Sequence, residues 1–285
     1  MKNIFKTVVW FCLMVCILLS IAACNVNVTF TPIETGTNSE TTNATTTSEV
    51  TTSPEETITL EETTPEETAP AVDTRPRVAL TFDDGPSSIT TKPIVDELNK
   101  YGYHATFFVV GNRVDRTPGQ DNGASAMVYA YENGNEIGIH GYTHEANYAF
   151  CSDATYEYEI YQTLNAIQTR IPGYEVRLMR AVGGSISDER IVSNEFAVID
   201  WSIDTLDWTL RTPAGDAETI EKIVDNALDG IEDGDIILMH DIYNNTYEAT
   251  VILLARLYEM GYNVVTVSEL LGDNLQPGTL YRTAP

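Results

Sequence analysis

From residue 77 onward the sequence predicts an α/β fold, a parallel sheet curled into a distorted or incomplete (β/α) barrel of about seven strands. Three observations predict it. Short apolar runs recur at Val78–Phe82, Ala105–Val110, Glu136–Ile139, Val176–Met179, Phe196–Ile203, Asp235–Met239 and Asn263–Val267. Helix-like segments separate them, at Thr90–Tyr101, Ala124–Glu132, Thr155–Thr169, Ser187–Glu195, Asp216–Leu228 and Tyr247–Met260. Gly102, Gly134, Gly173, Gly230 and Gly261 fall where those helices should stop, as expected of the residue that tolerates positive φ. Strand alternating with helix means a mostly parallel sheet with helices outside. Seven repeats suit an irregular barrel better than a two-layer fold.

The first 76 residues read differently. Residues 1–24 open with Lys2 and Lys6, continue with an uninterrupted apolar run from Thr7 to Ile21, and end in Ala22-Ala23-Cys24. This describes a secretory signal whose core is too short to span a bilayer, for which about 20 apolar residues are needed. Ile21-Ala22-Ala23-Cys24 resembles the lipobox of bacterial lipoproteins, which implies lipidation at Cys24, export, and a membrane-anchored chain facing the cell wall. Ordinary cleavage beside an incidental Cys is the alternative. Residues 25–76 are rich in Thr, Glu, Ser and Pro. They have too little to bury and are expected to be a disordered linker, a stalk between membrane and domain. The folded domain is placed at 77–272, with 273–285 as a C-terminal tail.

Charge and cysteine content narrow the function classes. The net charge is −26, and between Glu34 and Asp73 there are ten acidic residues and no Lys or Arg. Such a chain is not expected to bind nucleic acid, which requires Lys and Arg to neutralise phosphates. Cys12, Cys16 and Cys24 belong to the signal segment, leaving Cys151 alone in the domain. No internal disulfide can form there, and a metal cluster built on Cys is excluded.

The chemistry gathers where apolar runs end. Asp83-Asp84 follow the first, His140 the third, Arg180 the fourth, Asp204 the fifth, and His240-Asp241 the sixth. In barrel enzymes the C-terminal ends of the strands carry the active site. Five strands ending in charged or imidazole groups therefore point to one rim. His140-Gly141-Tyr142-Thr143-His144 sets two imidazoles four residues apart, able to share a metal if the turn is helical. The Glu of the zincin helix signature is missing, because Gly141 follows the first His. A base must come from elsewhere, and Asp83-Asp84, fixed by Gly85-Pro86, supplies adjacent carboxylates whose repulsion a cation would relieve.

These segments resemble the motifs of the polysaccharide deacetylases, the NodB-homology or carbohydrate esterase family 4 group. Thr81-Phe82-Asp83-Asp84-Gly85-Pro86 is similar to the first motif and His140–His144 to the second. Arg180 stands at the third, Asp204-Thr205-Leu206-Asp207-Trp208 is similar to the fourth, and Leu238-Met239-His240 to the fifth. The resemblance implies a distorted (β/α) barrel that removes acetyl groups from N-acetylated sugars, peptidoglycan N-acetylglucosamine foremost, or from acetylated xylan or another exported glycan. It implies a divalent metal, zinc or cobalt, held by Asp84, His140 and His144. Asp83 would be the general base and His240 the general acid, with Asp207 favouring imidazolium at His240. Arg180 would orient Asp83 through a paired hydrogen bond, and a backbone N–H near Gly183 would stabilise the oxyanion. Trp208 and Leu238 would wall the acetyl methyl; each is otherwise a plain core residue, and for Leu238 the two readings are equal.

Two departures from the family pattern stand out. Its third motif reads Arg-x-Pro-Tyr, whereas this chain has Arg180-Ala181-Val182-Gly183-Gly184, without the rigid Pro or the aromatic wall. Its second motif has Ser or Thr where Gly141 sits, implying one supporting hydrogen bond fewer. A non-catalytic sugar-binding lipoprotein on a decayed scaffold is the competing reading from another class. The intact Asp83, Asp84, His140, His144 and His240 speak against it.

Overall fold

The computed structural model describes residues 73–115, 123–211 and 215–285. The signal segment, Cys24 and the linker up to residue 72 lie outside the described residues.

β1 (Arg77–Asp83) is the centre of the sheet. Around it lie β2 (Thr106–Val109), β3 (Glu136–Ile139), β4 (Leu178–Met179), β5 (Ala197–Ile199), β6 (Ile203–Asp204), β7 (Ile236–His240), β8 (Asn263–Val265) and β9 (Leu280–Tyr281). The order is β6-β7-β1-β2-β3-β4-β5-β9 in a nine-stranded sheet, with β8 paired to the first half of β1. Every strand pair is parallel. β6 and β9 do not pair with each other, so the barrel is incomplete.

Residue parity sorts the side chains onto two faces, as the period of two in a strand requires. Val78, Leu80 and Phe82 of β1, Phe107 and Val109 of β2, Ile137 and Ile139 of β3, and Ile237 and Met239 of β7 join one core cluster with the helices. The alternate positions Ala79, Phe108, Leu178, Ala197, Ile199 and Ile236 form a second cluster. They point into the curl of the sheet. Both faces are covered, so β1 reads as a continuous buried run rather than as alternating polar and apolar residues.

The helices are α1 (Thr91–Tyr101), α2 (Gly111–Val114), α3 (Ala124–Glu132), α4 (Asp153–Arg170), α5 (Asp188–Val192), α6 (Ala217–Leu228), α7 (Asn244–Glu259) and α8 (Val267–Leu271). α6 buries Ile220, Ile223, Val224 and Ala227, an i, i+3, i+4, i+7 stripe. α7 buries Ala249, Leu253, Leu254 and Leu257 in the same cluster. Each fully buried aliphatic side chain there contributes roughly 1.5–3 kcal/mol. α8 opens with a capping box between Thr266 and Glu269. It inserts Val267, Leu270 and Leu271 into the inner cluster, filling the end of the curl remote from the strand C-termini.

Three expectations need correction. The run Phe196–Ile203 is not one strand but β5 and β6, interrupted at Asp200–Ser202. Residues 273–285, read as a tail, add β9, which pairs with β5. Val267, read as the end of the last apolar run, instead opens α8, and the short α2 lies in a stretch without helical periodicity.

Candidate active site

Asp83, His140, Arg180 and His240 share the inner parity at the C-terminal rim. Asp83 and His240 are register partners on adjacent strands, and His140 and Arg180 directly follow β3 and β4, which are paired at Ile139 and Met179. Asp83, His140 and His240 face a cavity of about 390 Å³. Of the residues singled out in the sequence, Asp83, Asp84, His140, His144, Gly183, Trp208, Leu238 and His240 line it, together with Asp204. Arg180 and Asp207 stand behind its wall, each bonded to a lining residue.

Asp84 Oδ1 lies 2.8 Å from His144 Nε2 and 3.5 Å from His140 Nε2. Donor atoms of these three residues all fall within 4.8 Å of one another. Asp84 Oδ1 is buried and has no hydrogen-bond donor. An orphaned carboxylate oxygen facing two imidazole nitrogens is what a cation-binding triad requires, so the residues fit a divalent metal. His140 Nδ1 lies 3.0 Å from the Arg180 carbonyl oxygen. It must donate there, which fixes the tautomer and leaves the Nε2 lone pair toward the cluster.

The turn carrying the two His is not helical, contrary to the condition set from spacing. Gly141 has φ 83° and His144 φ 64°, and Asp84 also sits in the left-handed region at φ 72°. For the two non-glycine residues this costs of order 1–3 kcal/mol each, and both belong to the triad. The Glu159 carboxylate on α4 holds the turn, accepting from Tyr142 N–H at 2.6 Å, Thr143 N–H at 2.8 Å and Thr143 Oγ1 at 2.5 Å. Glycine at 141 is therefore not a simple loss of a hydrogen bond. A Cβ there would lie 2.4 Å from Tyr148 Oη and 3.1 Å from Glu159 Oε2, so the smaller residue makes room for both.

Arg180 is fully buried. Its Nη1 donates to Asp83 Oδ1 at 2.9 Å and to Thr81 Oγ1 at 2.8 Å. Its Nε donates to Ile199 O and its Nη2 to Asp200 O, and its guanidinium stacks 4.3 Å from the Phe108 ring centroid. The paired hydrogen bond to Asp83 is thus corrected to a single one. The other N–H groups serve the carbonyls left unpaired where the sheet breaks after β5. Asp83 Oδ2 remains free to face the Asp84, His140 and His144 triad, 3.6 Å from His140 Nε2.

His240 Nδ1 lies 2.8 Å from Asp207 Oδ1. Asp207 Oδ2 accepts from His240 N–H at 2.8 Å and from Thr246 Oγ1 at 2.7 Å. Burial opposes the imidazolium, but Asp207 and then Asp83 and Asp84 outweigh it and push the pKa up to about 9. His240 is therefore cationic at neutral pH, with Nε2–H available to the cavity.

Leu238 is 3% exposed yet lines the cavity, so the two readings of it coincide, and Trp208 is 44% exposed at the rim. Gly183 lines the cavity in a left-handed turn, φ 58°. The Pro and Tyr of the family pattern fall at Val182 and Gly183, and a Cβ on Gly183 would meet nothing within 4 Å; the Trp201 ring packs against the next residue, 3.2 Å from where a Gly184 Cβ would sit. Sequence reasoning missed Trp201 because it lies inside an apolar run that reads as strand. Asp241, noted in the sequence only as part of a charged strand end, is fully buried with Oδ1 unpartnered. Asp241 accepts from Thr91 Oγ1 and packs so closely under Gly85 that a Cβ there would lie 2.4 Å from its Oδ1. Burial pushes its pKa up to about 7.

The family model described as polysaccharide deacetylase matches residues 71–197. Over 208 residues the chain is 35% identical to peptidoglycan-N-acetylglucosamine deacetylase PgdA of Listeria monocytogenes, a match covering 73% of this chain and 41% of that protein. It thus spans about two-fifths of that relative's length. A peptidoglycan-N-acetylglucosamine deacetylase of Bacillus cereus is 33% identical over 203 residues, 68% of this chain and 87% of that one. Among solved structures, a family 4 acetyl xylan esterase from Clostridium thermocellum in complex with a cobalt ion is similar with a TM-score of 0.64 and 29% identity. That match covers 73% of this chain and 99% of that one.

Proposed function

Because the chain belongs to the polysaccharide deacetylase family, we propose that it is a metal-dependent deacetylase of peptidoglycan N-acetylglucosamine, exported and held at the cell membrane by a lipid on Cys24. The observation that carries the reading is one cavity faced by three groups at once. They are the triad Asp84, His140 and His144, the carboxylate of Asp83, and an imidazolium at His240. Two imidazoles and a carboxylate suit zinc, with cobalt the alternative. Such a cation supplies Lewis acidity, lowering the pKa of water and polarising an acyl oxygen.

The chain's own residues supply the rest. An acetamide is a poor electrophile with a very poor leaving group, the amine anion. Water adds its oxygen to the acetyl carbon while Asp83 Oδ2 takes its proton, and Oδ1 stays pinned by Arg180. The C–N bond then breaks as His240 Nε2–H gives its proton to the departing nitrogen, yielding acetate and a free amine. Each proton transfer contributes typically 10²–10⁴-fold. The cavity floor at Leu238 offers an apolar contact for the acetyl methyl. Export and anchoring are supported by the apolar run Thr7–Ile21 and by Cys24 at the lipobox position.

The test is acetate release from purified peptidoglycan, N-acetylglucosamine oligomers and acetylated xylan, with zinc or cobalt added. Release from the first two, faster than from xylan, is expected. No release from any of them overturns the activity, and faster release from xylan overturns the substrate. The likeness to an acetyl xylan esterase makes xylan the comparison that matters.

A further inference from the structure

Resting on that reading, we propose that Arg211 is a recognition subsite for a carboxylate carried by the glycan next to the sugar being deacetylated. The active-site cavity adjoins a second one of about 260 Å³, and Arg211 and Tyr243 line both. The two cavities make a continuous path for a glycan chain, with Arg211 at the junction.

Arg211 is set up to receive an anion. Its guanidinium carbon stands 4.9 Å from the Tyr243 ring centroid, and its Nε–H donates to Trp208 O at 2.6 Å. Its terminal nitrogens make no hydrogen bond or ion pair with any described residue. The side chain is exposed but held, so little rotamer freedom is left to lose on binding. Among the described residues lining the active-site cavity it is the one Arg or Lys.

The surrounding charge makes this position selective. The chain has 42 Asp and Glu against 16 Lys and Arg, so its general field repels an anionic polymer. Of the lining carboxylates, Asp83 is paired with Arg180 and Asp84 belongs to the triad, leaving Asp204 and Arg211 as the charged groups not committed to chemistry. A planar guanidinium with free N–H groups reads a carboxylate through two parallel bonds. Oligomers of N-acetylglucosamine and xylan backbones offer no carboxylate. The muramoyl residues that alternate with N-acetylglucosamine in peptidoglycan do, on the lactyl group when it is free or on the stem peptide when it is amidated.

The experiment compares wild type with Arg211→Gln on three soluble peptidoglycan tetrasaccharides. One has free lactyl acids, one the lactyl methyl esters, and one lactyl groups carrying stem peptides, itself measured with its carboxylates free and esterified. The expected result is a wild-type kcat/KM preference of about tenfold for an acid over its ester, falling to near unity in R211Q. A preference confined to the lactyl pair names that group as the ligand, and one confined to the peptide pair names the stem. Equal rates for acid and ester in the wild type, or the same preference surviving in R211Q, overturns the subsite while leaving the deacetylase reading intact. Failure of the wild type to release acetate from any of the tetrasaccharides overturns both.

Discussion

Asp83→Asn should lower kcat for acetate release by about 10³-fold while zinc affinity stays within a few-fold of wild type. The substitution keeps an oxygen to accept the Arg180 Nη1–H bond, now 2.9 Å from Asp83 Oδ1. What it removes is the second carboxylate oxygen, replaced by an amide nitrogen that donates and cannot take a proton. Asp83 is adjacent to the triad but its Oδ2 lies 3.6 Å from His140 Nε2, so its loss should not empty the triad. Steady-state acetate release with parallel zinc titration checks this. A loss below tenfold would mean that another group accepts the proton.

Arg180→Met should destabilise the fold by about 3–5 kcal/mol, the cost of leaving a buried ion without its partner. Asp83 is only 3% exposed, and Thr81 Oγ1, Ile199 O and Asp200 O would lose donors as well. Against total stabilities of roughly 5–15 kcal/mol this is large enough to read from a urea midpoint. The double variant Asp83→Asn, Arg180→Met should lose less than the sum of the single changes, because the stranded charge is gone. A single-variant loss under about 1 kcal/mol would show that Arg180 is not what compensates Asp83.

Much of the site could be read before the fold because parallel strands impose two rules. A residue following an apolar strand lies on the C-terminal rim, and alternate residues share a face. Asp83, His140, Arg180 and His240 satisfy both rules, so local sequence was enough to bring them together. The residues to which the sequence assigned no role depend on contacts across long stretches of chain. Glu159 is one acid among several on α4, and only burial against the His turn distinguishes it. Asp241 meets Thr91 across 150 residues. Trp201 looks like any apolar strand residue until the chain is seen to break at Asp200–Ser202.

Geometry beyond residue identity was also hard to read from spacing. His residues four apart were expected to share a metal if the turn were helical, yet positive φ at Gly141 and His144 produces the convergence instead. Arg180 opposite Asp83 suggested a fork-to-carboxylate pair, but the sheet break supplies competing carbonyls that claim Nε and Nη2. In the same way β9 carries too few residues to show a strand period, and its place comes from pairing with β5.

In the proposed site Asp84, His140 and His144 close around one cation beside Asp83. Zinc titration by calorimetry into metal-free wild type and into Asp84→Ala tests it most directly. One zinc per wild-type chain is expected, with an affinity at least about 100-fold weaker in the variant, since losing even an outer-shell partner costs about 10–100-fold. One zinc per chain bound equally tightly by both proteins would contradict it.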